Sequence, residues 1–151
     1  MANNQFVLES GSVACTVGSA KTIVQAVAPA NIRVKLLGFG VAFDGILTTG
    51  QPVGVRVLRQ TTAGTMSALT PVNTNSVSET IQTTAQYNAT AEPTAGNVLY
   101  NGQIHPQQAL LWQYPYGAEY IIPGGGRVGI ECNVVAGQSA VNVRAHMHLE
   151  E

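Results

Sequence analysis

The closing run His-Met-His-Leu-Glu of this 151-residue chain places His146, His148 and Glu150 at alternate positions. Alternate side chains of a β-strand leave the same face, so the three would stand in one row. Two imidazoles and a carboxylate in a row are a candidate metal site, since such ligands suit first-row transition metals. His105 is the one other histidine and could join them only if the intervening chain folds back. The same alternation describes a polar row facing solvent or a neighbouring subunit, and that reading is preferred. No metal and no cofactor is expected.

Trp112, Tyr114 and Tyr116 also alternate, with Tyr120 close behind. On one strand face they could stack sugar rings, as in a carbohydrate-binding module. Aromatic rows equally form subunit interfaces, because they bury a large area while their polar tips stay satisfied. An interface is preferred, with Tyr87 and Tyr100 as further candidates. Pro115 belongs at an edge or a strand end.

Other motifs lead away from catalysis. Gly124-Gly125-Gly126 could offer amides to an anion, but no Lys-Ser/Thr and no helix follows, so a tight turn is expected. Gly38-Phe39-Gly40 lacks the third glycine and the helix of a dinucleotide site. There is no Gly-x-Ser-x-Gly elbow, and Asp44 is the sole aspartate among eight scattered acids. Cys15 and Cys132 alternate with valine and isoleucine, which places both on apolar strand faces as free thiols or, if they share a core, as a disulfide. The histidine run superficially resembles the cupin metal motif. That motif leaves three or four residues between its second His and the Glu, and takes another His from a later strand, so it does not fit. The chain is not expected to be an enzyme.

The elements that must position these residues are strands. Period-two alternation is frequent, and no dozen-residue window repeats apolar residues at three and four. Phe6–Glu9, Val13–Val17, Lys21–Ala28, Ile32–Phe43 and Val53–Val57 read as strands. Within Ile32–Phe43 the apolar set switches from even to odd positions, which predicts a bulge near Leu36–Gly38, followed by a turn at Asp44-Gly45. Leu110–Tyr116, Tyr120–Ile122 and Arg127–Val134 follow. In the last strand Val141, Val143, Ala145, Met147 and Leu149 face in, and Asn142, Arg144, His146, His148 and Glu150 face out. Residues 61–109 differ, being rich in Thr, Ala, Asn and Gln, with Glu79 and Glu92 as their only charges. They are expected to form an elaborated excursion with short strands at Thr80–Thr83 and Asn97–Tyr100. The pattern predicts one all-β domain over residues 1–151, an antiparallel β-sandwich of jelly-roll type with this excursion between its halves.

Seven Lys+Arg and eight Asp+Glu make up only 10% of the residues, against about 25% in an ordinary soluble domain. No Lys or Arg lies between Arg59 and Arg127. Low charge with 45% apolar residues argues against disorder. So few cations cannot build a phosphate-neutralising surface, so no nucleic-acid partner is expected. No basic leader precedes an apolar stretch and no spanning segment is visible, which predicts synthesis in a cytoplasm and no membrane partner. A charge-poor soluble chain fits a surface largely covered by other protein, and residues 61–109 are expected to be the least exposed segment outside the core.

Two runs carry a family resemblance. Ile32-Arg33-Val34-Lys35-Leu36-Leu37-Gly38-Phe39-Gly40-Val41-Ala42-Phe43-Asp44-Gly45 resembles a jelly-roll strand of phage head proteins, as does Glu119 to Cys132 through Pro123-Gly124-Gly125-Gly126. With the last strand, these are similar to small phage capsid decoration (cement) proteins over about half the chain, mostly residues 20–60 and 110–150. The resemblance implies a homotrimer on the capsid exterior that binds the major capsid protein and catalyses nothing. A carbohydrate- or receptor-binding module of a phage fibre or tail is the alternative.

Overall fold

A computed structural model describes residues 4–44, 50–75 and 79–151. In chain order its first strands are β1 (Gln5–Glu9), β2 (Val13–Cys15), β3 (Ala20–Val27), β4 (Val34–Phe43), β5 (Val53–Gln60) and β6 (Thr65–Leu69). They are followed by β7 (Val72–Asn73), β8 (Thr84–Ala91), β9 (Ala95–Ile104), β10 (Leu110–Gln113), β11 (Tyr120–Ile122), β12 (Arg127–Asn133) and β13 (Val141–Glu150). Among the described residues there is no helix. Two antiparallel sheets pack as a β-sandwich. The first runs β10-β4-β13-β1-β7, with β11 also beside β4 and β2 beside β13. The second runs β6-β8-β3-β12-β5-β9.

Alternation decides which residues fill the space between the sheets. In β13, Val143, Met147 and Leu149 are fully buried, while Asn142, Arg144 and His148 are exposed. Opposite them, Val55, Val57, Val128, Ile130 and Cys132 line the second sheet, and Phe6, Leu8, Leu36 and Phe39 complete the core. Each such side chain contributes about 1.5–3 kcal/mol by leaving water. The parity switch in β4 is a register shift: His148 pairs Gly38 and Leu149 pairs Leu36, which leaves Leu37 as the extra residue. Val34 and Leu36 then face the core before the bulge, and Phe39 and Val41 after it. Leu37, grouped with the inward odd set on sequence grounds, is instead among the residues lining a cleft on the outer face.

Several boundaries differ from the sequence reading. Ile32 and Arg33 precede β4, and Gly45 of the expected turn lies outside the described residues. Thr80–Thr83 is not a strand. The Gln82 and Thr83 amides instead donate to the two carboxylate oxygens of Glu151 (2.7 and 2.9 Å), and a side chain satisfies them in place of a sheet partner. Within residues 61–109, β6, β8 and β9 belong to the second sheet and β7 pairs with β1 of the first. β9 pairs with β5 at one end of the second sheet, and β6 and β8 extend its other end past β3. Residues 61–109 are not the least exposed segment: most residues of β6 and β9 are open to solvent in the single chain, because an edge strand has no neighbour on one side.

The chain on either side of β6–β8, an insertion between β5 and β9, is tied together, since the Thr61 amide donates to the Thr94 carbonyl (2.9 Å) and the Thr94 amide to the Thr62 hydroxyl (2.8 Å). Nearby, the Thr22 amide and hydroxyl both donate to one Glu92 oxygen (2.8 and 2.7 Å). Gln60 donates to the Thr22 hydroxyl (2.9 Å) and Gln25 to the Gln60 carbonyl oxygen (2.6 Å). This chain anchors the insertion to β3 and β5 through groups that are costly to leave unpaired once buried.

Phe39→Ala removes the largest core side chain of β4 and should lower unfolding free energy by about 3–5 kcal/mol. Urea denaturation followed by near-ultraviolet circular dichroism measures this, and a loss under 1 kcal/mol would contradict the packing described.

Candidate functional site

The outer face of the first sheet carries the histidine row. The alternation of β13 places Arg144, His146, His148 and Glu150 there, beside Glu9, Val7 and Gln5 of β1 and Ala42, Gly40, Gly38 and Lys35 of β4. His146 lies over Gly40, where any Cβ would collide with the imidazole. The two imidazoles meet edge to face at 5.4 Å. Glu150 is engaged elsewhere: Lys35 Nζ donates to it at 2.7 Å and Gln5 Nε2 at 3.2 Å. At the other end Arg144 Nε donates to both Asp44 oxygens (3.0 and 3.1 Å), and the Ser12 hydroxyl donates to the same carboxylate (2.9 Å). Among the described residues, no group of three or more His, Cys, Asp and Glu is placed to hold a metal ion. The row is therefore a ladder of cross-strand pairs around two imidazoles.

Burial against β4 holds His146 below its ordinary value of 6.5, His148 beside it acts the same way, and Glu9 opposes them. Asp44 is held low by the Ser12 hydroxyl and Arg144. The thiols are inert: burial pushes Cys15 up to about 11 and Cys132 well above its ordinary value, and both are free and buried.

The aromatic residues do not form one row. β10 stops at Gln113, so the alternation from Trp112 to Tyr116 is broken by a change of backbone. Trp112 pairs with Phe39 and leans over the core edge, with its ring 5.5 Å from that of Tyr100 on the opposite sheet. Phe39 meets Tyr100 at 5.3 Å and Tyr114 at 6.5 Å. Trp112, Tyr114 and Tyr100 thus close one side of the sandwich, and Trp112 remains 43% exposed. Tyr87, on β8, packs half-buried against the core edge. Tyr120 binds Arg59 through its hydroxyl and receives the guanidinium 5.2 Å from its ring centre.

Tyr116 stands apart at 99% exposure. The Ala118 amide donates to the Pro115 carbonyl (2.9 Å), and Gly117 has φ +83°. That is a tight turn with glycine at the position requiring positive φ and Tyr116 at the corner. The Gly117 amide donates to Glu119 Oε1 (3.0 Å) and holds that carboxyl below the usual range. This turn walls a cleft of about 270 Å³ over β4 and β13, lined by Gln5, Lys35, Leu37, Gln113, Tyr114, Tyr116, Glu119 and Glu150. The pattern Pro-Tyr-Gly signals the turn, but the alternating aromatics hide it. His105 is outside this group; its Nδ1 accepts from the Gln107 amide (3.2 Å). The triple glycine turns its amides inward, from Gly125 to the Ala28 and Pro29 carbonyls and from Gly126 to that of Pro123.

No protein-family model, curated protein or solved structure matches this chain.

The depressed His146 value has a sign. As pH falls through 6.5, the unfolded chain takes up this proton before the folded one, so stability declines between 6.5 and the lower folded value. Above 6.5 the group adds no slope. Urea denaturation at intervals from pH 7.5 to 5 should show this decline in the parent, and His146→Gln should remove that component.

Proposed function

We propose that this chain is a structural virion protein of jelly-roll topology, a decoration or cement protein that binds the outside of a phage capsid, as a homotrimer. The strand order supports the topology. Without the insertion β6–β8 and the short strands β2 and β11, the sheets read β1-β13-β4-β10 and β3-β12-β5-β9. The chain changes sheet at each step from β1 through β3, β4 and β5, stays in the second sheet for β9, and changes again to β10, β12 and β13. A path of this kind supports the reading as two interlocked Greek keys.

One observation carries the assembly reading. The edge strands β6, β7, β9 and β10 contain no charged side chain. Free monomers commonly guard such edges with charge, proline or bulges, because an open row of backbone donors and acceptors recruits another strand. The register shifts of β9 fall in its first half, which leaves Tyr100–Ile104 in regular pairing with β5 and an open outer side. Val98, at 47% exposure, adds apolar surface to that edge. An edge of this kind is complete only when covered by a second copy or by the capsid surface. Closed threefold symmetry would cover it in every subunit. The partners are then this chain itself and the major capsid protein, the site of action is the virion exterior, and no catalytic step is assigned.

Light scattering on the purified chain at micromolar concentration should give about three times 15.8 kDa. Mass spectrometry should find the protein in purified virions. Asn101→Lys with Gln103→Lys, placed on the open edge, should weaken association at least tenfold while leaving the fold intact. A monomer of parent sequence, or virions lacking the protein, would overturn the proposal.

A further inference from the structure

The geometry points to a second binding site, independent of the capsid reading: the cleft beside Tyr116 takes a neutral pyranose sugar, such as the terminal residue of a glycan. Its lining combines what a sugar requires. Pyranose hydroxyls each donate and accept, and they need fixed partners of both kinds in a shallow, partly apolar depression. Here Glu119 and Glu150 offer carboxylate acceptors, the amides of Gln5 and Gln113 offer both functions, and Lys35 offers an ammonium donor. The charged groups are already held in place, Glu150 by Lys35 and Gln5, and Glu119 by the Gly117 amide. Little ordering is left for the ligand to impose.

Tyr116 supplies the apolar contact. A tyrosine that is 99% exposed at the corner of a hydrogen-bonded turn contributes nothing to the core. It lines the cleft together with Leu37 and the Lys35–Glu150 pair. A ring in that place can cover the C–H face of a sugar whose hydroxyls reach the polar lining, and tyrosine is well suited to such amphipathic contacts. Charge sets the class. One ammonium faces two carboxylates, so the cleft is net negative and disfavours acidic sugars.

The test is an NMR titration of the full chain with methyl glucoside, methyl galactoside, methyl mannoside and N-acetylneuraminic acid, each to tens of millimolar. At least one neutral glycoside should shift the amides of Gln113, Tyr116, Gly117 and Glu119 along a saturating curve. The acidic sugar should bind at least tenfold more weakly. Tyr116→Ala, on an exposed turn, should weaken the neutral ligand about tenfold, and Gln113→Ala severalfold, with the rest of the spectrum unchanged. The proposal is overturned if no neutral glycoside saturates these amides, if the shifts map elsewhere, if the acidic sugar binds best, or if Tyr116→Ala leaves binding intact.

Discussion

The pairing of β4 with β13 is the constraint on which the rest depends. Both strands are ten residues long and lie at the middle of the first sheet. Every inward residue of β13 is locked into the core, so every outward one is assigned a face and a neighbour. A one-residue slip would send Met147 and Leu149 into water and bring His148 and Glu150 into the core. The extra residue at Leu37 reconciles this register with the opposite parities of the two ends of β4. It also turns an apolar side chain outward beneath the Tyr114–Glu119 turn. The cleft and the histidine ladder are both products of the same pairing.

Scarcity of charge takes on meaning once the charges are located. Lys35 pairs with Glu150, Arg56 with Glu131 and Arg144 with Asp44. The first two pairs join residues directly opposite each other on neighbouring strands. Arg59 is held on Tyr120, and Lys21 Nζ donates to the Ala14 carbonyl (3.0 Å). Most of the cations are thus drawn into contacts within the chain. The most exposed of the three, Arg144–Asp44, contributes little to stability, about 0–1 kcal/mol, whereas the carboxylates of Glu131 and Glu150 are largely shielded from water. The larger effect of the pairs is on what the surface shows to another molecule: the strands at the ends of both sheets present amides, hydroxyls and apolar groups, Leu111 and Trp112 among them.

How far the sequence could be read depended on whether a strand has one dry face. β13, β12, β5 and the bulge in β4 were legible because burial on one side imposes a period of two. β6 and β8 were not, and of β9 only Asn97–Tyr100 was, because such strands have little dry face to impose a pattern, and Thr, Asn and Gln suit either side. The Glu151 and Glu92 anchors are long-range hydrogen bonds, about 70 residues apart in sequence, and no local spacing encodes them. Of the site residues, the row of His146, His148 and Glu150 was visible as a row. That Glu150 is claimed by Lys35 was not, since a register shift brings the two together. The aromatic alternation misled for a related reason: side-chain period persists in sequence after the backbone has turned.

The first strand has only one long partner, and it is the last. Gln5–Glu9 pairs along its length with His146–Glu150, and Asn4 exchanges two hydrogen bonds with Glu151. β1 therefore has nowhere to settle until some 140 residues have followed it out of the ribosome, on the order of ten seconds or more at ordinary rates of synthesis. Until then β4 and β13 cannot be joined to it, and the first sheet is incomplete. The cell must carry a long, charge-poor chain through that interval. Closure of the first sheet thus waits on contacts between residues about 140 positions apart, which are intrinsically slow to form.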